Sequence, residues 1–515
     1  MGNGVSQKKS AQIGLFSAIM ILISAIVGVG IFFKNKSVFS ANDYNPYGVL
    51  LSWIITFVIV ITTAVSFIEI ISADKSNTNS GLAGWTRKMC GHKLGRFVLI
   101  QMPLFYYALK LLDTSLFTSE SLFNIATETP GTDIVQPAYA IVLVAIGVLA
   151  LFIIVNVVSI KAGKMVSTAA TFLKFLPLVL IGILGITFGI ANGAKGGLFD
   201  PDYVNPNNGH EVGAFNIAGV FTCLPALLFA FDSFLIIGNT SKSMIKPEKN
   251  VPLAVVIAVP VVACVYLLVT MGQLFTGSPD VYSATSVIVE WFGGNKSAIM
   301  AFNIVIGTFI SISLFGVMNS FALTSIRSLQ SAIDENIIIG SHKVKKWTKH
   351  HELYGGVIAT CVICFIFLSF IGTSMIVLDS DCILDGVSNF PALFFFGLYS
   401  IIISFALVNH YTDKVEVRKM KVFPYVAVVA IIGCAFALGY NMFYQYSVHA
   451  IMEPMASSSW GMFKKGQFAL NGFPLWIAAI VFWCGFLVFI GMPFLNDLLI
   501  KKFRKVEDNV RLIWQ

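Results

Sequence analysis

Twelve runs of about 20 mostly apolar residues divide the sequence, and they constrain the fold more than any other feature. A helix of this length crosses the hydrocarbon core of a bilayer, and it satisfies its own backbone hydrogen bonds there. Only 12% of the residues are charged, and the mean hydropathy is +0.82. We therefore predict an all-α integral membrane protein with twelve transmembrane helices. The predicted spans are approximately residues 12–33, 48–73, 97–119, 138–158, 166–190, 216–239, 251–275, 300–326, 354–376, 390–410, 423–443 and 474–499.

Basic residues are distributed unequally between the two sides of the predicted membrane. The net charge is +8, and 26 of the 34 lysines and arginines lie in the termini and in alternate connections, all on one side. Cytoplasmic loops are enriched in lysine and arginine, so both termini are expected in the cytoplasm. The membrane topology then accounts for the excess of basic residues, which does not indicate a nucleic-acid partner. The outer connections carry few basic residues, among them Lys34 and Lys36, and acidic residues such as Asp385.

The first span carries Gly28 and Gly30, one residue apart, within residues 24–32. Two glycines weaken a helix interior. Backbone opened in this way is tolerated at membrane depth only where it is buried in protein or lines a wet cavity. A glycine pair can instead let a second helix pack closely, so this span alone leaves both interpretations open.

The sixth span offers a counterpart, with Pro225 in its first half and Asp232 and Ser233 among aromatic residues. Proline removes a backbone donor and disturbs the preceding turn. Spans 1–5 and 6–10 would be two five-helix repeats, inverted because each makes an odd number of crossings. Interruptions at corresponding positions of two repeats indicate the substrate site of a transporter, which favours an opened helix at Gly28 and Gly30.

The repeats predict a division of the chain at residue 410. Residues 1–410 would form the ten-helix transport core, with one repeat at about 12–190 and the other at about 216–410. Residues 411–515 would add two accessory transmembrane helices and a cytoplasmic tail.

Several ionisable groups lie inside the predicted spans. Lys174 lies about two turns deep in span five, where a charge costs at least ~2.5 kcal/mol. It should therefore face the protein interior. There it would have a functional role or form an ion pair that only fixes helix packing. Lys110 and Asp113 lie one turn apart in span three, which favours mutual neutralisation. Asp232 either favours a cationic substrate or points away and pairs with Lys110 or another polar group.

In their order along the chain, these motifs resemble the amino acid–polyamine–organocation (APC) family of permeases over nearly the whole sequence. The segments that carry the resemblance are residues 26–32, Glu69 with Ser80 and Gly81, residues 174–177, 229–234 and 246–252, and Arg327. The resemblance implies a LeuT-like fold with a midplane site between spans one, three, six and eight. The implied activity is secondary active transport of amino acids by alternating access.

The resemblance also implies the contacts of the substrate. Backbone N–H groups at the first break would bind the carboxylate, because a helix start offers unpaired donors and a positive dipole end. Carbonyls at both breaks would bind the ammonium, and Phe229 corresponds to an aromatic gate. Ser233 stands where many members have a glycine, which shifts the expected break towards Pro225. The implied substrate-binding residues are Ile26, Gly28, Val29, Gly30, Phe229, Asp232, Ser233 and Phe315.

Lys174 corresponds to a lysine that takes the place of sodium in sodium-coupled relatives. A buried lysine releases its proton more readily than an exposed one, so it could couple transport to a proton gradient; exchange against a counter-substrate is the other mode considered. A sodium symporter, with the ion between the first break and Ser311 or Ser313, is an alternative. A polyamine transporter and a nutrient sensor that binds without transporting are further alternatives.

An enzyme is not expected, because the seven histidines lie in loops or at span ends and no phosphate cradle or nucleophile motif occurs. No metal site and no cofactor are predicted. The excess of lysine over arginine and the lack of an organelle-targeting segment favour a bacterial plasma membrane. The oligomeric state and the particular amino acid stay open.

Overall fold

The described part of the chain is predominantly helical. The computed structural model describes residues 13–73, 81–127, 137–158, 173–193, 195–200, 202–204, 212–238, 244–348, 353–460, 473–503 and 513. Its α-helices, numbered in chain order, are α1 Leu15–Ile26, α2 Asn35–Ala41, α3 Pro46–Ser72, α4 Leu82–Cys90, α5 His92–Gln101, α6 Tyr107–Thr127, α7 Ala138–Val158, α8 Phe175–Ala191, α9 Ile217–Thr222, α10 Leu224–Phe231, α11 Pro247–Thr276, α12 Val281–Trp291, α13 Lys296–Asp334, α14 Ser341–Trp347, α15 Tyr354–Leu378, α16 Cys382–Ser388, α17 Phe390–Thr412, α18 Phe423–Gly439, α19 Ala450–Met452 and α20 Leu475–Phe503. Three π-helical segments lie at Gly30–Lys34, Met102–Tyr106 and Tyr440–His449. Two short strands, β1 Ser457–Ser458 and β2 Phe473–Pro474, pair antiparallel.

Ten helical segments of the described residues are long and apolar enough to cross a membrane. They overlap ten of the twelve predicted spans, which confirms the all-helical membrane class. The predicted span at 97–119 falls on α5 and α6, where Lys110 and Asp113 add polarity. The predicted span at 166–190 ends in α8, and its residues 166–172 lie outside the described residues.

The first span is interrupted after α1. Val27 has an extended backbone (φ −73°, ψ 110°) that ends α1 at Ile26. The chain becomes helical again through the π segment Gly30–Lys34 and continues as α2. The opened segment predicted at Gly28 is therefore present.

The helix after this break is longer than predicted and contains a buried ion pair. Lys34 was assigned to an outer loop, and this is wrong: it is 1% exposed, and its Nζ lies 2.6 Å from Asp385 Oδ1. Ser37 donates to the other carboxylate oxygen at 2.9 Å, and Lys34 also donates to Ser388 Oγ at 2.7 Å. The ion pair joins the π segment Gly30–Lys34 to α16, and Ser37 adds a contact from α2, so Asp385 is also part of the core. Lys36, by contrast, is exposed.

The sixth span is interrupted at Asp232 and Ser233, and the shift of weight towards Pro225 is wrong. Near Pro225 only Cys223 separates α9 from α10. The chain leaves the helix at Asp232 (φ −59°, ψ 165°), and Ser233 adopts φ +74°. Positive φ is uncommon for a residue other than glycine. The turn is stabilised because Asp232 Oδ1 accepts from the Ser233 N–H at 2.9 Å and the Tyr106 hydroxyl lies 3.2 Å from Ser233 Oγ.

Long helices surround the two interrupted spans. α11 packs against α1, α3 and α8, and α13 packs against α6 and α15. The last two long helices are attached to the same bundle, since α18 packs against α3 and α17, and α20 packs against α5 and α16. Arg96 of α5 makes a buried bidentate contact with Asp497 of α20, with both bonds 2.7 Å long. The division at residue 410 remains a prediction.

Candidate functional site

The two interrupted spans meet at Gly30. A Cβ atom placed on Gly30 would lie 2.3 Å from Ala230 Cα, closer than two carbon atoms can approach. A Cβ on Gly28 would lie 3.0 Å from Val317 Cγ2 of α13. Both interpretations of the glycine pair therefore apply: Gly28 lies in the opened segment, and Gly30 lets the π segment pack on α10.

Tyr266 of α11, which is not among the residues predicted from the sequence, bridges the two spans. Its hydroxyl lies 3.1 Å from the carbonyl oxygens of both Ile26 and Ala230. The side chain is fully buried, and its ring packs against Trp53 and Phe231. A buried tyrosine usually finds a hydrogen-bond partner, so a tyrosine in the middle of an apolar span was the available signal.

The break in the first span presents free backbone donors. Among the described residues, the N–H groups of Gly28 and Val29 have no hydrogen-bond acceptor. They stand at the start of the helical segment that continues through Gly30, where unpaired N–H groups and the positive end of the helix dipole favour an anion. This arrangement suits the carboxylate that all amino acids share.

The end of α1 presents acceptors, and Lys174 binds to them. Its Nζ donates to the Ser24 carbonyl at 2.6 Å, to the Val27 carbonyl at 2.8 Å and to Ser24 Oγ at 3.2 Å. An ammonium has three donors, so these oxygens match it fully, and the carbonyl end of a helix favours a cation. Lys174 thus faces the protein interior at the first break and has no carboxylate partner among these contacts.

Phe229 and Asp232 lie together with Lys110. Lys110 Nζ is 2.9 Å from Asp232 Oδ2 and 3.6 Å from the centre of the Phe229 ring. Lys34 Nζ lies 4.9 Å from the centre of the same ring. The predicted neutralisation of Lys110 by Asp113 is therefore wrong, because Lys110 pairs with Asp232. Within the described residues, neither carboxylate oxygen of buried Asp113 has a hydrogen-bond partner.

Among the described residues, no hydrogen bond or ring contact joins three predicted residues of span eight, Ser311, Ser313 and Phe315, to this cluster. The Phe315 ring packs against Phe152, with centroids 5.6 Å apart, and no ring contact joins it to Phe229 among the described residues. Ser311 Oγ lies 2.9 Å from Ser121 Oγ of α6. Ser313 is fully buried, and its hydroxyl has no partner in the described part of the chain. The α13 residue that faces the first break is Val317, as noted above.

Cavities of unequal size lie between the helices of the described residues. One of about 380 Å³ is lined by residues that include Tyr107 and Arg327. It approaches the site, because Tyr107 follows Tyr106, which contacts Ser233. A second, lined by residues that include Asp385, has a volume of about 80 Å³. A third, of about 530 Å³, is lined mostly by apolar residues, among them Phe367 and Phe390.

Comparison with known proteins gives a family and several transporters. The family model described as amino acid permease matches residues 13–463. Human large neutral amino acids transporter small subunit 2 is 28% identical over 338 residues, which cover 63% of this chain and 58% of that protein. Mouse b(0,+)-type amino acid transporter 1 is 22% identical over 431 residues, covering 83% of this chain and 82% of that protein. An uncharacterised Mycoplasma pneumoniae protein is 22% identical over 481 residues, covering 83% of both chains.

Proposed function

The chain belongs to the amino acid permease family, and we propose that it is a secondary transporter that carries amino acids across a plasma membrane by alternating access. Two of the relatives named above, the human and the mouse protein, are named as amino acid transporters. We include in the proposal the twelve-span LeuT-like arrangement with inverted repeats and cytoplasmic termini. The distribution of basic residues supports this topology.

The meeting of the two breaks is the observation that carries the proposal. The N–H groups of Gly28 and Val29 are free to bind a substrate carboxylate. Ile26 ends α1 and Phe229 lies in the last turn of α10. Each of their carbonyls has lone-pair capacity beyond its present hydrogen bond for a substrate ammonium. One site can therefore bind both charged ends of an amino acid with backbone atoms alone, and the residues around Phe229 would contact its side chain.

Coupling is assigned to Lys174. Its ammonium donates to oxygens of Ser24 and Val27. A sodium ion would need oxygen ligands of this kind, so a cation of the protein already fills the position. In this conformation three oxygen atoms accept from its Nζ, as they would from an ammonium. Movement of α1 away from α8 during alternating access would remove these acceptors and release the proton. This argues for a proton-coupled cycle or an exchange cycle over sodium symport.

Uptake of labelled amino acids into proteoliposomes tests the proposal. We expect saturable uptake that is independent of sodium and is increased by an inward proton gradient. Lys174→Met should abolish the response to the gradient, because methionine fills the space without carrying a proton. Lys195→Met, at an exposed lysine of the connection after α8, is the matched control and should behave like the wild type.

Three outcomes would contradict parts of the proposal. Binding of an amino acid without any flux would identify a sensor instead of a transporter. Gradient-driven accumulation by Lys174→Met would leave transport intact and remove the coupling role of Lys174. Uptake that requires sodium would favour the symporter alternative.

A further inference from the structure

The part of the site next to the aromatic gate already contains a cation from the protein itself. Lys110 Nζ lies 2.9 Å from Asp232 Oδ2 and 3.6 Å from the centre of the Phe229 ring. Both members of the pair are buried, at 4% and 3% exposure. The ammonium therefore has an anionic partner and an aromatic face at the same time.

A carboxylate beside an aromatic face is the surface that would recognise the side chain of a cationic amino acid. Ammonium and guanidinium groups bind carboxylates through charge-assisted hydrogen bonds and are attracted to aromatic faces. Lys110 offers the same chemical group as such a substrate, and it is fixed to α6. It takes the place that a lysine or arginine side chain would need.

We propose that Lys110 is a specificity-determining residue that closes the Asp232 carboxylate to substrates, so that the transporter selects amino acids with uncharged side chains over cationic ones. This inference rests on the proposed function and on the position of the substrate at the two breaks. It decides between the two expectations for Asp232: the carboxylate balances a protein cation and does not attract a substrate cation.

The charges around the Phe229 ring support selection against cations. Lys34 lies 4.9 Å from the ring centre and is itself paired with Asp385 at 2.6 Å. A cationic side chain at the ring would therefore meet two ammonium groups, each already paired with its carboxylate. Displacing Lys110 would leave an unpaired charge in a buried place, which is strongly unfavourable.

Asp113 is a nearby carboxylate that could receive a displaced Lys110. It is buried one turn away on the same helix, and in the described residues its oxygens have no hydrogen-bond partner. If Lys110 moved to Asp113 when a cationic substrate arrived, the site would accept amino acids with cationic side chains as well as those with uncharged side chains. Comparison of the wild type with Asp113→Asn distinguishes this movement from a fixed Lys110–Asp232 pair.

The test is competition for uptake of labelled leucine into proteoliposomes, with methionine and arginine as competitors. For the wild type, the half-inhibitory concentration of arginine should exceed that of methionine at least tenfold, which corresponds to ~1.4 kcal/mol. Lys110→Met should lower this ratio at least tenfold, because Asp232 is then free to bind arginine. Lys110→Arg should keep the wild-type preference, and the double variant Lys110→Met with Asp232→Asn should restore it.

Asp232→Asn provides a second, independent variant in case Lys110→Met does not fold. It leaves Lys110 without its carboxylate, so aspartate and glutamate should become competitors. Wild-type uptake that arginine inhibits as well as methionine would overturn the inference, as would an unchanged competitor ratio in folded Lys110→Met. An arginine effect in the wild type that disappears in Asp113→Asn would show that Lys110 moves, which also overturns it. Absence of uptake of any amino acid by the wild type would instead refute the proposed function. The selectivity could then still be measured, as a rise in the melting temperature of the protein with methionine but not with arginine.

Discussion

Replacement of Gly30 by alanine should separate the two interrupted spans. The added Cβ would lie 2.3 Å from Ala230 Cα and 2.6 Å from Ala230 Cβ. Carbon atoms in contact lie about 3.5–4.0 Å apart, so the segments must move apart by more than ~1 Å. The opposing atom is backbone and no side-chain rotation relieves it. We therefore expect a cost near the upper end of the ~1–3 kcal/mol typical of overpacking.

The assay is the melting temperature of the purified protein together with leucine uptake into proteoliposomes. Gly30→Ala should lower the melting temperature and abolish uptake, because the carboxylate donors at Gly28 and Val29 move away from the acceptors at the second break. Gly147→Ala is the matched control, since a Cβ on this glycine of α7 meets no atom within 4 Å. It should leave both measurements at or above the wild-type values. Wild-type uptake and stability in Gly30→Ala would refute the close packing of the two breaks.

Two further substitutions test contacts that hold the site together. Tyr266→Phe keeps the ring but removes the hydroxyl that contacts Ile26 and Ala230, so it should destabilise the protein by about 0.5–1.5 kcal/mol and lower the uptake rate; uptake and melting curves equal to the wild type would show that the bridge contributes nothing. Lys34→Met removes the ammonium that balances the charge of buried Asp385 and should cost about 3–5 kcal/mol, measured as a lower melting temperature, whereas Lys34→Met combined with Asp385→Asn should recover part of the loss; an unchanged melting temperature in the single variant would contradict the ion pair.

The sequence predicted the membrane class and the first break because both depend on local features. Apolar runs of sufficient length specify transmembrane helices, and the glycines at 28 and 30 mark the opened segment and the close approach. The buried position of Lys174 was also predictable, because a lysine two turns inside an apolar span must face the interior. The apolar spans, the glycine pair and the depth of Lys174 all depend on residues that are close together in the sequence.

The second break and the ion pairs depend on contacts between distant parts of the chain. Ser233 adopts a positive φ that its residue type disfavours, and the contacts with Asp232 and Tyr106 that stabilise it appear only when α6 is in place. Lys34 and Asp385 are separated by 351 residues, so each alone resembles a charged residue at a span end. Local spacing suggested Asp113 as the partner of Lys110, but the turn at the second break presents Asp232 instead.

A cryo-electron microscopy structure of the protein with saturating leucine in lipid nanodiscs tests the central claim most directly. We predict density for the substrate between the two breaks, with its carboxylate oxygens about 3 Å from the N–H groups of Gly28 and Val29 and with Lys110 still paired with Asp232. Substrate density elsewhere in the bundle, or a carboxylate bound by side chains away from the first break, would contradict the account.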